Sequence, residues 1–135
     1  MENSQLKKAG LKITHPRVKI LQILENCEKR HISAEEVYKL LLAADEDVGL
    51  ATVYRVLTQF ETAEIVSRHH FEGGHSVFEL ESGIHHDHLV CVSCGKVDEF
   101  HDEIIEQRQE KIAKEKGYIL TDHSLYLYGK CPKCQ

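Results

Sequence analysis

Apolar positions recur at helical spacing through the first sixty residues. Val18, Ile20, Leu21 and Leu24 mark a stripe on a helix over Pro16 to Asn26, and Pro16 suits its first turn. Val37, Leu40, Leu41 and Ala44 form a second stripe, and Ser33 with Glu36 predicts a capping box at its start. After the polar turn Asp45-Glu46-Asp47-Val48-Gly49 a third helix is predicted over Leu50 to Thr62. Its inner stripe is Val53, Val56, Leu57 and Phe60, and its outer face presents Thr52, Tyr54, Arg55, Thr58 and Gln59. Two strand-like runs follow, Ile65 to Phe71 and Ser76 to Leu80, with Glu72-Gly73-Gly74 as a hairpin turn between them. Three short helices, with a short turn before the third and a hairpin after it, predict a winged helix-turn-helix.

Beyond Glu81-Ser82-Gly83 the pattern changes. Ile84 to Val92 is strand-like, Cys94-Gly95-Lys96 makes a tight turn, and Val97 to Phe100 returns as a strand. Asp102 can cap a helix running to Lys116, with Ile104, Ile105 and Ile112 inward and Gly117 at its end. Tyr118 to Tyr128 alternates as a long strand, with Ile119, Leu125 and Leu127 on the same face as His123. The predicted fold class is α+β. A winged-helix domain spans 1–80, a hinge 81–83, and a small α/β domain 84–135 that needs a staple or a partner.

Composition is that of an ordinary soluble globular chain: 41% hydrophobic and 29% charged among 135 residues. No apolar run is long enough for a membrane-spanning helix, and the polar N-terminal stretch lacks the apolar core of a secretory signal. The expected compartment is therefore the cytoplasm, where five cysteines favour metal binding over disulfides. The net charge of −5 argues against a nucleic-acid partner, but its distribution does not. Lys7, Lys8, Lys12, Arg17 and Lys19 form an acid-free basic arm from Asn3 to Leu24.

Cys91-Val92-Ser93-Cys94 and Cys131-Pro132-Lys133-Cys134 are two Cys-x-x-Cys knuckles that together predict a closed, structural four-cysteine zinc site. Cys27 is left over and is expected to be a buried helix cysteine. Ten histidines are many for this length. His15, His69, His70, His75 and His101 are read as surface or wing residues. In His85-His86-Asp87-His88 alternate side chains of an extended segment face opposite ways, so one segment feeds two sites. His123 and Glu106 are candidates to complete the His85/Asp87 face; Glu99, Glu79 and His31 are candidates for the His86/His88 face.

Six segments carry a resemblance to the ferric uptake regulator family. They are Leu6-Lys7-Lys8-Ala9-Gly10-Leu11-Lys12, Gly49-Leu50-Ala51-Thr52-Val53-Tyr54-Arg55-Val56-Leu57, Phe71-Glu72-Gly73-Gly74, His85-His86-Asp87-His88-Leu89, Cys91-x-x-Cys94-Gly95-Lys96 and His123-Ser124-Leu125-Tyr126-Leu127-Tyr128-Gly129. The resemblance implies a homodimeric repressor that binds palindromic operator DNA when loaded with Fe(II) and controls iron uptake, with pairing into tetramers left open. It implies structural Zn(II) on Cys91, Cys94, Cys131 and Cys134, and a regulatory site on His31, Glu79, His86 and His88 with Glu99 as a fifth ligand. It implies a second metal site on His85, Asp87, Glu106 and His123. Tyr54 and Arg55 match recognition-helix residues, and Lys12 a residue that reaches the minor groove. The ligand chemistry accepts Fe(II), Mn(II), Co(II) or Zn(II), with Zn(II) binding more tightly in vitro than Fe(II). A related sensor of zinc, manganese or peroxide is one alternative. A metalloenzyme is disfavoured, because four or five protein ligands leave no open position beside a general base.

Overall fold

The computed structural model describes residues 2–72 and 75–135, with the side chains of Glu2 and His75 excepted. The chain divides into two compact units, the first ending at Gly83 and the second starting at Ile84.

In the first unit, helix α1 (Glu2–Lys8) precedes α2 (His15–Asn26), α3 (Ala34–Ala43) and α4 (Leu50–Thr62). Thr14 caps α2 by accepting from the Arg17 amide. The predicted box on α3 is present, Ser33 Oγ and Glu36 Oε1 each bonding the other residue's amide at 3.1 Å. The inner stripe of α4 is buried as expected. It packs with Ile20, Leu21, Leu24, Val37, Leu41 and Phe78 in one core. Strands β1 (Val66–Phe71) and β2 (His75–Leu80) pair antiparallel from Val66↔Leu80 to Phe71↔His75. The predicted turn residues Gly73 and Gly74 between them lie outside the described residues. Ile32 bridges antiparallel to Phe78, exchanging both backbone hydrogen bonds at 3.0 and 2.8 Å. That bridge brings the segment ahead of α3 against β2.

Three expectations change here. The N-terminal stretch contains a helix, held by Leu6, which is 0% exposed. Leu40 is exposed and Ala44 caps the helix in the open, whereas Ala34 is buried, so the inner face of α3 turns toward Ala34, Val37 and Leu41. Cys27 follows α2 as its C-cap and is half-buried, not a helix cysteine.

In the second unit β3 (Asp87–Cys91) is the central strand of a three-stranded sheet. It is antiparallel to β4 (Val97–Phe100) and parallel to β5 (Tyr126–Gly129). Helix α5 (Glu103–Glu115) is capped by Asp102 Oδ1, which accepts from the Ile104 and Ile105 amides at 2.9 and 3.2 Å. Gly117 ends the helix region with φ +79°, the left-handed conformation in which glycine lacks a Cβ penalty. A short 3-10 turn, Pro132–Cys134, follows β5. The predicted long strand over Tyr118 to Tyr128 is not formed: pairing begins at Tyr126, and Ile119 is 91% exposed. The strand expected from Ile84 starts at Asp87, where pairing with Phe100 begins. Ile104 and Ile112, expected inward, are exposed, and α5 has no buried residue.

Candidate metal centres and nucleic-acid interface

The four cysteines converge. The turn after β3, with Gly95 at φ +80°, folds Cys94 back toward Cys91. The Val92 amide donates to the Gly129 carbonyl at 2.8 Å, which ties this knuckle to the end of β5 and hence to Cys131. Cys94 Sγ lies 3.8 Å from Cys131 Sγ, and Cys131 Sγ 3.4 Å from Cys134 Sγ. Sulfurs on one tetrahedral zinc at about 2.3 Å sit about 3.8 Å apart, so the cluster has the dimensions of such a site. The Cys94 and Cys131 amides donate to Cys91 Sγ at 3.5 and 3.3 Å, which pulls its thiol down to about 5. Hydrogen bonding to the Cys131 and Cys91 sulfurs pushes Cys134 up to about 12. The two opposite shifts on adjoining sulfurs show how closely Cys91 and Cys134 interact within the cluster.

A second cluster lies wholly within the same unit. Asp87 opens β3 and His85 lies just ahead of it, Glu106 extends from the first turns of α5, and His123 lies ahead of β5. His85 Nε2 is 3.0 Å from Asp87 Oδ1 and 3.6 Å from Glu106 Oε1. His123 Nε2 is 3.4 Å from each of those oxygens. Asp87 is 0% exposed. No hydrogen bond reaches the buried atoms Asp87 Oδ2, Glu106 Oε1 or His123 Nε2. Leaving such atoms unsatisfied is costly unless a cation completes them. Two imidazoles and two carboxylates at this spacing fit a divalent metal with N/O preference. The sequence pattern had offered exactly two outside partners for this face, Glu106 and His123, and both are present.

The other predicted ligands divide between the units. In the first, His31 Nε2 is 3.3 Å from Glu79 Oε2, and both residues are buried. The Ile32–Phe78 bridge explains this neighbourhood, because it sets His31 beside Glu79. His69, read from sequence as a surface or wing residue, does lie on β1 of the hairpin, but it is not a surface side chain: its Nε2 lies 2.6 Å from Glu79 Oε1 and its side chain is 14% exposed. Its alternate-strand position opposite Val77 was the available signal. In the second unit His86 Nε2 is 3.1 Å from Glu99 Oε2, and His88 pairs with Glu99 across β3 and β4. His15 pairs with Glu46, and His101 with Glu103, both exposed as expected.

On the winged helix, Lys12, Tyr54 and Arg55 are all exposed. Arg55 Nη2 donates to Thr52 Oγ1 at 3.1 Å, and the Tyr54 hydroxyl donates to Glu35 on α3. That bond holds the Glu35 carboxyl below the usual carboxylate range and raises the Tyr54 phenol. Arg17, which the sequence places only in the basic arm, has partners that the sequence does not show. Its guanidinium donates to Gln59 Oε1 at 3.2 and 3.0 Å and to the Lys12 carbonyl at 2.8 Å, tying the basic arm to α4.

A winged helix followed by a small α/β unit rich in cation-binding clusters defines a metal-responsive DNA-binding regulator. The chain belongs to the ferric uptake regulator family, whose model matches residues 8–128. It is 69% identical over 134 residues to the ferric uptake regulation protein of Legionella pneumophila, covering 99% of this chain and 98% of the relative. The crystal structure of the Vibrio cholerae ferric uptake regulator superposes with a TM-score of 0.91 at 62% identity, covering 97% of this chain and 100% of that one. The Francisella tularensis regulator with iron has a TM-score of 0.89 at 42% identity, with 93% and 95% covered. The chain is therefore a metal-dependent repressor of iron uptake and not an enzyme, and the family's repressors bind operator DNA as dimers. No helix among the described residues is long and apolar enough to cross a membrane.

Proposed function

We propose that this chain is a cytoplasmic, homodimeric Fe(II) sensor, with pairing into tetramers open to it, whose DNA affinity is set by one metal shared between its two units. His31 and Glu79 on the winged helix, with His86, His88 and Glu99 on the second unit, are the ligands of that regulatory site. Residues 81–83 are the hinge between them. Lys12, Tyr54 and Arg55 contact a palindromic operator. The observation that supports this reading most is the buried His31–Glu79 pair, two ligand-type atoms 3.3 Å apart on a unit whose hydrophobic core has no need of them. Iron enters from the Francisella tularensis relative, which carries it.

The four cysteines hold structural zinc, and His85, Asp87, Glu106 and His123 hold a second metal within the second unit. A bound cation would accept the lone pairs of the imidazole nitrogens and balance the buried carboxylates. Ligands drawn from both sides of the hinge select one spacing of the recognition helices in the dimer. Half-sites lie about one helical turn apart on DNA, so a fixed spacing decides binding. A metal at ~100 times its dissociation constant favours the competent state by about 2.7 kcal/mol, roughly a hundredfold.

Anaerobic titration of zinc-loaded protein against operator DNA tests the reading. Fe(II), Mn(II) and Co(II) should each restore binding. Restoration by Zn(II) alone, and never by Fe(II), would assign the chain to zinc sensing instead.

A further inference from the structure

We propose that His69 is a positioning residue for the regulatory metal, holding one oxygen of Glu79 so that the other stays aligned with His31. The inference rests on the reading of His31 and Glu79 as ligands. In the hairpin, Ser67 pairs with Glu79 and His69 with Val77, so His69 and Glu79 are diagonal neighbours on one face of the sheet. The Ile32–Phe78 bridge sets His31 on the other side of Glu79. Glu79 is therefore flanked by two imidazoles from different segments. Its Oε1 is 2.6 Å from His69 Nε2, and its Oε2 is 3.3 Å from His31 Nε2.

The two contacts differ in kind. At 2.6 Å, His69 donates a short charge-assisted hydrogen bond to a carboxylate oxygen. The 3.3 Å separation is that of two atoms bound to one metal at about 2.1 Å rather than of a strong direct bond. Arg30 Nε, on a half-exposed side chain, is 3.6 Å from the same Oε2, a long ion pair. Glu79 can rotate about its last torsion at little cost, and that rotation would swap its oxygens or offer both. The bond from His69 removes this freedom and keeps Glu79 a one-oxygen ligand. The His69 ring lies parallel to that of Phe71, planes 7° and centroids 6.2 Å apart, which orients the imidazole in turn. Partners that orient a ligand typically change metal affinity by about 10- to 100-fold.

The test compares His69→Leu, His69→Gln and Glu79→Ala in full-length, zinc-loaded protein carrying His123→Ala to suppress the second cluster. Co(II) is titrated anaerobically, with its d–d absorption and the metal-free melting curve as readouts. His69→Leu should weaken Co(II) about 10- to 100-fold and alter the absorption band, with the melting curve unmoved. His69→Gln, which retains an N–H donor, should recover most of the affinity. Co(II) affinity within about twofold of the parent in His69→Leu, together with its loss in Glu79→Ala, would overturn the inference and leave the ligand reading standing. Normal affinity in Glu79→Ala would instead remove the ligand reading itself. Should His69→Leu not fold, His69→Gln and the shorter His69→Asn decide the matter, and equal affinities in the two overturn the inference.

Discussion

In the winged-helix unit Leu21, Val37, Val53, Leu57, Phe60 and Phe78 are all 0% exposed and form a continuous core. In the second unit the buried residues among those described are Asp87, His88, Val90 and Cys91, three of them candidate ligands. Helix α5 buries no residue, and Ile104, Ile112 and Ile119 are 72%, 46% and 91% exposed. A unit of this size cannot close a core on its own apolar residues. The winged helix is held by hydrophobic packing. The second unit, with few buried apolar residues, is left to the coordination proposed at its cysteines and to the dimeric state in which the family's repressors bind DNA.

The sharpest way to break this contrast is to remove the zinc. The double substitution Cys131→Ser, Cys134→Ser should abolish hydrogen-exchange protection in β3, β4 and β5 while the amides of α2, α3 and α4 stay protected. Retained protection in β3 would mean that the second unit has a core of its own. The mirror experiment is Phe60→Ala, which should cost about 3–5 kcal/mol and melt the winged helix while zinc content stays unchanged. A thermal scan with parallel zinc analysis reads both outcomes. Far smaller is the effect of Tyr54→Phe. Glu35 is held below its ordinary value by the Tyr54 hydroxyl, so that contact is present at neutral pH and lost as pH falls through the depressed value. The substitution should let Glu35 titrate nearer the ordinary 4.5, as followed by NMR, with the melting temperature unchanged.

Helices α2, α3 and α4 were legible because each carries several apolar residues at helical spacing, and because α2 has a proline in its first turn and α3 a capping box. Helix α1 was not, because a single anchor, Leu6, has no period. The Tyr118–Tyr128 alternation is genuine, but a strand exists only where a neighbour pairs with it, and β3 reaches only as far as Tyr126. Ile104 and Ile112 show the same limit: a stripe states that a face is covered, not that its own unit covers it. Among the metal residues, the cysteine knuckles were readable from spacing, whereas alternation put His85 and Asp87 on one face and left Glu106 and His123 only as candidates, because spacing along the chain does not say which distant side chains fold onto that face. His69 was passed over because its contact with Glu79 depends on the exact register of β1 against β2, which the turn signal alone does not fix. The partners of Arg17 escaped because Gln59 and the Lys12 carbonyl meet it only in the folded unit.

On the proposed function, His88 and not His123 belongs to the metal site that controls DNA affinity. The direct measurement is the operator dissociation constant with and without added metal for His88→Ala and His123→Ala, at fixed zinc content. The account predicts that His88→Ala loses the metal-dependent gain, about a hundredfold in the parent, while His123→Ala keeps a measurable part of it. A normal metal-dependent gain in His88→Ala would contradict it.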